Sequence, residues 1–233
     1  MALALRRARR SGGTTRSTTD REDTAVTVTT TAPQTASIGT DPDGNPVLWH
    51  LADAQGRPAH GLITASCGAG ASVLLTHITA AATRAGITTW FLHNGTQATS
   101  PASWTTSNIS EFMGALEETV RTRLDERDDA EPLLVAIDHP GVLASHGATL
   151  QTMATVAATA KVGFIVRAFT LLRMPAQLRE ITAQSQYVAL DHGPALEEEA
   201  LLPGCTAPAE GARPGQGRYG RDGACRPVAV HRP

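Results

Sequence analysis

The stretch Leu133-Leu134-Val135-Ala136-Ile137 runs without a polar interruption into Asp138. A strand with one wet face alternates apolar and polar residues. An unbroken apolar run reads instead as a strand buried on both faces, which occurs in parallel sheets covered by helices. The neighbouring sequence fits that requirement. Gly61 to Thr64, Thr88 to Leu92, Val162 to Ala168 and Tyr187 to Leu190 read as further short strands. Between them, Ser72 to Arg84 carries Val73, Leu74, Leu75 and Ile78 at helical spacing. Ile109 to Arg127 places Phe112, Leu116, Val120 and Leu124 on one face and Glu117, Glu118, Arg121 and Arg123 on the other. Leu150 to Ala160 and Pro175 to Ala183 complete the helical segments. Strands alternating with crossover helices predict an α/β fold with a mainly parallel sheet and helices on both faces.

Two hairpins flank this core. Ile38 to Asp41 and Pro46 to Trp49 are joined by Asp43-Gly44-Asn45, and Asp222-Gly223 turns toward Arg226 to Val230. With 233 residues, of which 41% are hydrophobic, the chain suits one α/β domain with tails or two small domains. Three segments are expected: a disordered basic and Thr-rich arm at 1–36, a core at 37–192, and a Gly- and Pro-rich tail at 193–233 with a closing hairpin. The arm opens with Arg6, Arg7, Arg9, Arg10 and Arg16 and meets no acid before Asp20. It is the one place where phosphate-backbone contact is legible, although short basic runs are usually only solvated.

Charge and composition exclude several classes. Charged residues make up 18% and the net charge is -2, so the whole chain is neither a basic nucleic-acid-binding surface nor an acidic solvating one. Cys67, Cys205 and Cys225 lack C-x-x-C spacing and are too scattered for a disulfide framework. No run approaches a membrane span, and Met1 to Arg10 lacks the apolar core of an export signal, so a cytoplasmic location is expected. Among the 20 basic residues all but Lys161 are arginine, a bias that, with abundant Ala, Thr and Gly, matches GC-rich actinobacterial coding.

The chemistry-bearing segment is Ala65-Ser66-Cys67-Gly68-Ala69-Gly70-Ala71-Ser72, between a predicted strand and a predicted helix. That is the setting of a phosphate-binding loop, in which backbone N–H groups and the helix N-terminus face an anion. Against G-x-x-x-x-G-K-[ST], Gly70 and Ser72 match, Ala65 replaces the first glycine and Ala71 replaces the lysine. Asp138, ending its apolar strand, suits a magnesium-holding carboxylate, and His139 stands where a water-activating acid would follow. The candidate nucleotide-binding residues are Gly68, Ala69, Gly70, Ala71 and Ser72, with Asp138 and Ser72 as candidate magnesium ligands.

Together with Ile38-Gly39-Thr40-Asp41, Pro46-Val47, Leu51 and His60-Gly61-Leu62-Ile63, this loop resembles the motor core of the FtsK/SpoIIIE family of DNA translocases. Leu202-Pro203-Gly204 and Pro227 to His231 are similar to that family's closing hairpin. The resemblance implies a RecA-like P-loop NTPase fold, ATP and magnesium as cofactors, ring assembly with like or unlike subunits, and work in DNA translocation, plasmid transfer or type VII secretion. No part of these residues matches the family's membrane segments or its winged helix.

The departures bear on activity. A charge-assisted hydrogen bond is worth about 1.5–3 kcal/mol, so losing the loop lysine weakens nucleotide binding at least about tenfold and cripples hydrolysis. The expectation is a degenerate P-loop domain acting as a non-hydrolysing or weakly nucleotide-binding component beside an active motor subunit. Two alternatives stand: an active atypical ATPase in which Arg173 or a neighbour's arginine replaces the lysine, and an interaction domain that binds no nucleotide or metal. Lys161 lies at the wrong end of its strand to serve. Arg167 and Arg173 flank the other end, near where the resemblance implies a nucleotide-sensing polar residue, with Thr170 the nearest match, and surface positions are expected for both guanidiniums. His139 reads as a hydrogen-bonded rim residue before it reads as a base. His93, His139, His146 and Cys67 lack zinc-ligand spacing. Cys67, at a helix N-terminus, is expected to be reactive without being catalytic. No G-x-S-x-G elbow marks a hydrolase. Trp49, Trp90 and Trp104 read as dispersed core or rim residues, not as a base-stacking platform.

Overall fold

A computed structural model describes residues 34–95, 101–126, 130–190, 202–204 and 215–231. Nearly all of the expected arm and much of the tail, with Cys205, lie outside the described residues. The elements run β1 (Thr35–Thr40), β2 (Pro46–His50), β3 (Gly61–Ala65), α1 (Ala71–Arg84), β4 (Thr88–His93), β5 (Trp104–Thr106), α2 (Ile109–Glu126), β6 (Leu133–Asp138), α3 (Pro140–Val156), β7 (Val162–Ala168), α4 (Ala176–Ser185), β8 (Tyr187–Leu190), β9 (Gln216–Arg221) and β10 (Ala224–Val230).

All the strands join one ten-stranded sheet in the order β2-β1-β10-β9-β8-β3-β7-β6-β4-β5. From β8 to β5 every neighbouring pair is parallel, and from β8 back to β2 every pair is antiparallel. The expected α/β architecture is therefore present, and both hairpins extend the parallel sheet on the β8 side. Side chains alternate across the sheet as the two-residue period demands. Leu133, Val135 and Ile137 of β6, with Val162, Phe164 and Val166 of β7, meet Phe112, Leu116, Leu150, Met153 and Leu178 from α2, α3 and α4. On the opposite face, Leu134, Ala136 and Ile165 meet Leu74, Leu75 and Ile78 of α1 and Ile38, Val47 and Trp49 of the first hairpin.

Three features differ from expectation. Helix α3 begins at Pro140, ten positions before Leu150, and stops at Val156. Pro140 occupies the first helical turn, where its missing N–H costs nothing, and non-helical His146 marks a kink beside Gly147. Between Val142 and Leu150 the helix fully buries only Gly147, so its first half carries little apolar periodicity to read. Strand β5 was not expected; it is short and edge-placed, and it pairs Trp104 with Trp90. Those two indoles pack edge to face at 4.8 Å, and Trp104 stacks on Phe112 at 5.4 Å, so only Trp49 is remote from the others. Among the described residues, no helix is long and apolar enough to cross a membrane.

Candidate functional site

The loop of residues 66–70 leaves the carboxyl end of β3, a central strand flanked by β7 and β8. Gly68 and Gly70 sit at φ 83° and 95°, in the left-handed region that a Cβ disfavours. Gly70 is the N-cap of α1, and no side chain caps that end. The first-turn N–H groups therefore face the loop, as an anion cradle requires. Ser66, Cys67 and Gly68 are exposed, while Ala69 and Ala71 are buried against the β1–β2 side of the core. Ala71, the first residue of α1, packs its methyl group at 2% exposure.

Strand parity assembles the rest. Asp138 has the parity of Leu134 and Ala136, and Arg167 that of Ile165, so both point to the α1 face. The register of Ile137 against Val166 brings the next residues, Asp138 and Arg167, side by side. Arg167 also pairs with Ile63 of β3, which carries the loop. Strand β7 lies between the loop strand and the Asp138 strand, so its arginine faces both.

The resulting geometry is compact. Arg167 Nη1 donates to Asp138 Oδ1 at 2.6 Å and to Ser72 Oγ at 3.0 Å. The pair is buried, with side-chain exposures of 8% for Arg167 and 1% for Asp138. Phe169, two residues along and exposed, lays its ring 4.1 Å from the guanidinium carbon in a cation–π contact. Asp138 Oδ2 and Arg167 Nε are buried without a hydrogen-bond partner among the described residues.

This corrects the expectation of a surface Arg167. A cation within an apolar strand flanked on both sides is not solvated, and it must find a carboxylate. Part of the signal was in the sequence, since the run Val162 to Ala168 is apolar except for Arg167; that the adjacent strand ends in an acid of matching parity follows from the sheet order. Arg173 is exposed, and Lys161 lies at the amino end of β7, away from the loop.

His139 caps α3, its Nδ1 accepting from Gly141 N–H at 3.2 Å. A neutral ring so engaged carries its proton on Nε2, which suits capping and not proton abstraction. His93 accepts from Gly95 N–H in the same way, and His146 contacts Ser145. Among the described residues, no group of three or more His, Cys, Asp or Glu side chains could hold a metal ion. Ser72 and Asp138, the residues that would hold a magnesium ion at this loop, are bridged instead by one nitrogen of Arg167. As arranged, these residues do not fit the ion.

The loop between strand and helix, the sheet order and the acid-ended strand β6 define a fold shared with solved P-loop ATPase domains. The cytoplasmic domain of the type VII secretion ATPase EccC of Thermomonospora curvata is similar, with TM-score 0.68 and 16% identity over 87% of this chain and 26% of that one. ATPases 2 and 3 of EssC from Geobacillus thermodenitrificans match at TM-score 0.63 and 13% identity, covering 85% and 41%. The pCW3 conjugation coupling protein TcpA, solved with ATPγS, matches at TM-score 0.63 and 11% identity, covering 85% and 66%. The chain thus spans about a quarter of the EccC structure and two fifths of the EssC one. No protein-family model and no curated protein sequence matches it.

Proposed function

We propose that this chain is a degenerate FtsK/SpoIIIE-like P-loop domain, a non-hydrolysing or weakly nucleotide-binding component of an ATPase assembly for DNA translocation, DNA transfer or type VII secretion. The observation that carries this reading is Ala71. A buried methyl group stands where the lysine would bridge the terminal phosphates, while the loop backbone and the helix N-terminus remain. The fold likeness to secretion and conjugation ATPases supports the assembly setting. In such a setting the domain works by docking to a subunit that hydrolyses ATP, in a homo- or hetero-oligomer, and DNA contact falls to the basic arm.

Calorimetric titration of Mg-ATP into the purified chain, with phosphate release followed in parallel, tests this. The expected result is binding weaker than micromolar, or none, and no turnover above buffer. Ala71→Lys is expected to strengthen binding. Turnover by the native chain that Asp138→Ala abolishes would replace this reading with an active atypical ATPase. That second reading draws on one observation: a guanidinium already stands beside Ser72.

A further inference from the structure

We propose that Arg167 is a resident cation that takes the place of the divalent metal in this loop and excludes it. The inference rests on the P-loop reading above and goes beyond it, because it concerns the metal and not hydrolysis.

Three features carry it. First, one nitrogen, Arg167 Nη1, bridges the loop-side hydroxyl of Ser72 and the strand-end carboxylate of Asp138, the two side chains that would hold a magnesium ion. Second, the guanidinium is enclosed. Its side chain is 8% exposed, the Phe169 ring covers one face at 4.1 Å, and the flanking strands β3 and β6 hold its backbone in register. Leaving would uncover a carboxylate that is 1% exposed and already has one unpartnered oxygen. Third, the positive charge beside Asp138 is supplied by the chain itself, through a charge-assisted hydrogen bond. A metal that approaches meets an occupied donor pair and a fixed positive charge.

The consequence concerns specificity. Phosphate-bearing ligands at the loop, if bound, are taken without a divalent cation, and magnesium competes for them in solution. In a working motor, metal loading and release accompany the nucleotide cycle. A loop with its cation built into the sheet stays in one state.

The test uses Mn2+ as the probe and needs no hydrolysis. Electron paramagnetic resonance titration of Mn2+ into the native chain is expected to show only free ion, and no protein-bound ion in the presence of ADP. Stoichiometric Mn2+ binding by the native chain, lost in Asp138→Asn, would overturn the proposal. Arg167→Ala is expected to lower the unfolding midpoint and to recover part of that loss on addition of Mn2+. The recovery should vanish in Arg167→Ala/Asp138→Asn. If Arg167→Ala does not fold, the native titration alone decides. The two readings fail separately: metal-free turnover would sink the non-hydrolysing assignment and leave Arg167 in place, whereas bound Mn2+ without turnover would do the reverse.

Discussion

Two buried polar clusters sit at opposite ends of the parallel strands, and they are built differently. At the amino end, Gln186 donates to the carbonyls of His50 at 2.6 Å and His60 at 3.3 Å, while its Oε1 accepts from His50 N–H at 3.0 Å. Its amide is 1% exposed and joins β2, β3 and β8 without any charge. At the carboxyl end, Arg167 and Asp138 are charged and each retains a buried unpartnered atom. Neutral groups with satisfied partners are how a sheet stitches its hairpin to its core. A charged pair with spare donor and acceptor capacity is a poor way to gain stability, since desolvation offsets much of its attraction. The difference separates a structural junction from the candidate site at the loop.

The largest expected effect breaks the charged cluster. Asp138→Ala leaves the Arg167 cation buried and unpaired, which costs about 3–5 kcal/mol in denaturant unfolding. Replacing both partners, as Asp138→Leu/Arg167→Met, is expected to recover most of that loss, because hydrophobic residues of similar volume avoid the desolvation cost. A single-mutant cost below about 1 kcal/mol would mean that the pair behaves like a surface ion pair, and the contrast between the two ends would fail.

The amino end should respond to acid. Burial pushes His60 down to about 4, with only a weak opposing pull from Asp53. Its Nδ1 accepts from Phe164 N–H at 3.2 Å, and its ring stacks on Phe164. The folded chain therefore binds the proton less readily than the unfolded one. The contribution is fully present above about pH 6.5, declines as pH falls, and is lost by about pH 4, amounting to about 3 kcal/mol. Equilibrium unfolding across that window, compared with His60→Phe, checks the sign: the variant should lose less stability over the same interval. Gln186→Leu follows, at about 2 kcal/mol, from the His50 N–H and the carbonyls left without partners. It should not alter the response of Arg167→Ala to Mn2+, because the clusters share no residue.

How much of this the sequence carried depended on the element. Apolar runs with no competing pattern, such as Leu133 to Asp138 and Val162 to Ala168, declared their strands with the observed bounds. Helix α3 was hidden by the little apolar periodicity of its first half, and β5 by being three residues long at an edge. The ten-strand order was not legible, because pairing β9 with β8 and β10 with β1 joins segments far apart in sequence. At the site, the loop and Asp138 were readable from spacing. The role of Arg167 required knowing that β7 lies between β3 and β6, so its burial could be inferred only by asking where a charge inside an apolar strand finds its partner.

The smallest expected effect sharpens the role of His139. If His139 serves the fold, its work is the acceptor that Nδ1 offers Gly141 N–H at the start of α3. His139→Ala then removes one N-cap acceptor and costs about 1 kcal/mol in denaturant unfolding. His139→Asn, which supplies a side-chain oxygen at the same position, should restore most of it. A base would behave in the opposite way: the alanine and asparagine variants would be equally inactive, whatever their stability. Gly141 narrows the choice of replacements, since a Cβ there would approach His139 Nδ1 to 3.3 Å and Ile109 Cδ1 to 3.3 Å. The cap therefore has to be varied from the histidine side. Recovery of stability by asparagine, with turnover flat across all three proteins, would place His139 with the structural polar groups of the amino end, although it neighbours the charged pair in sequence.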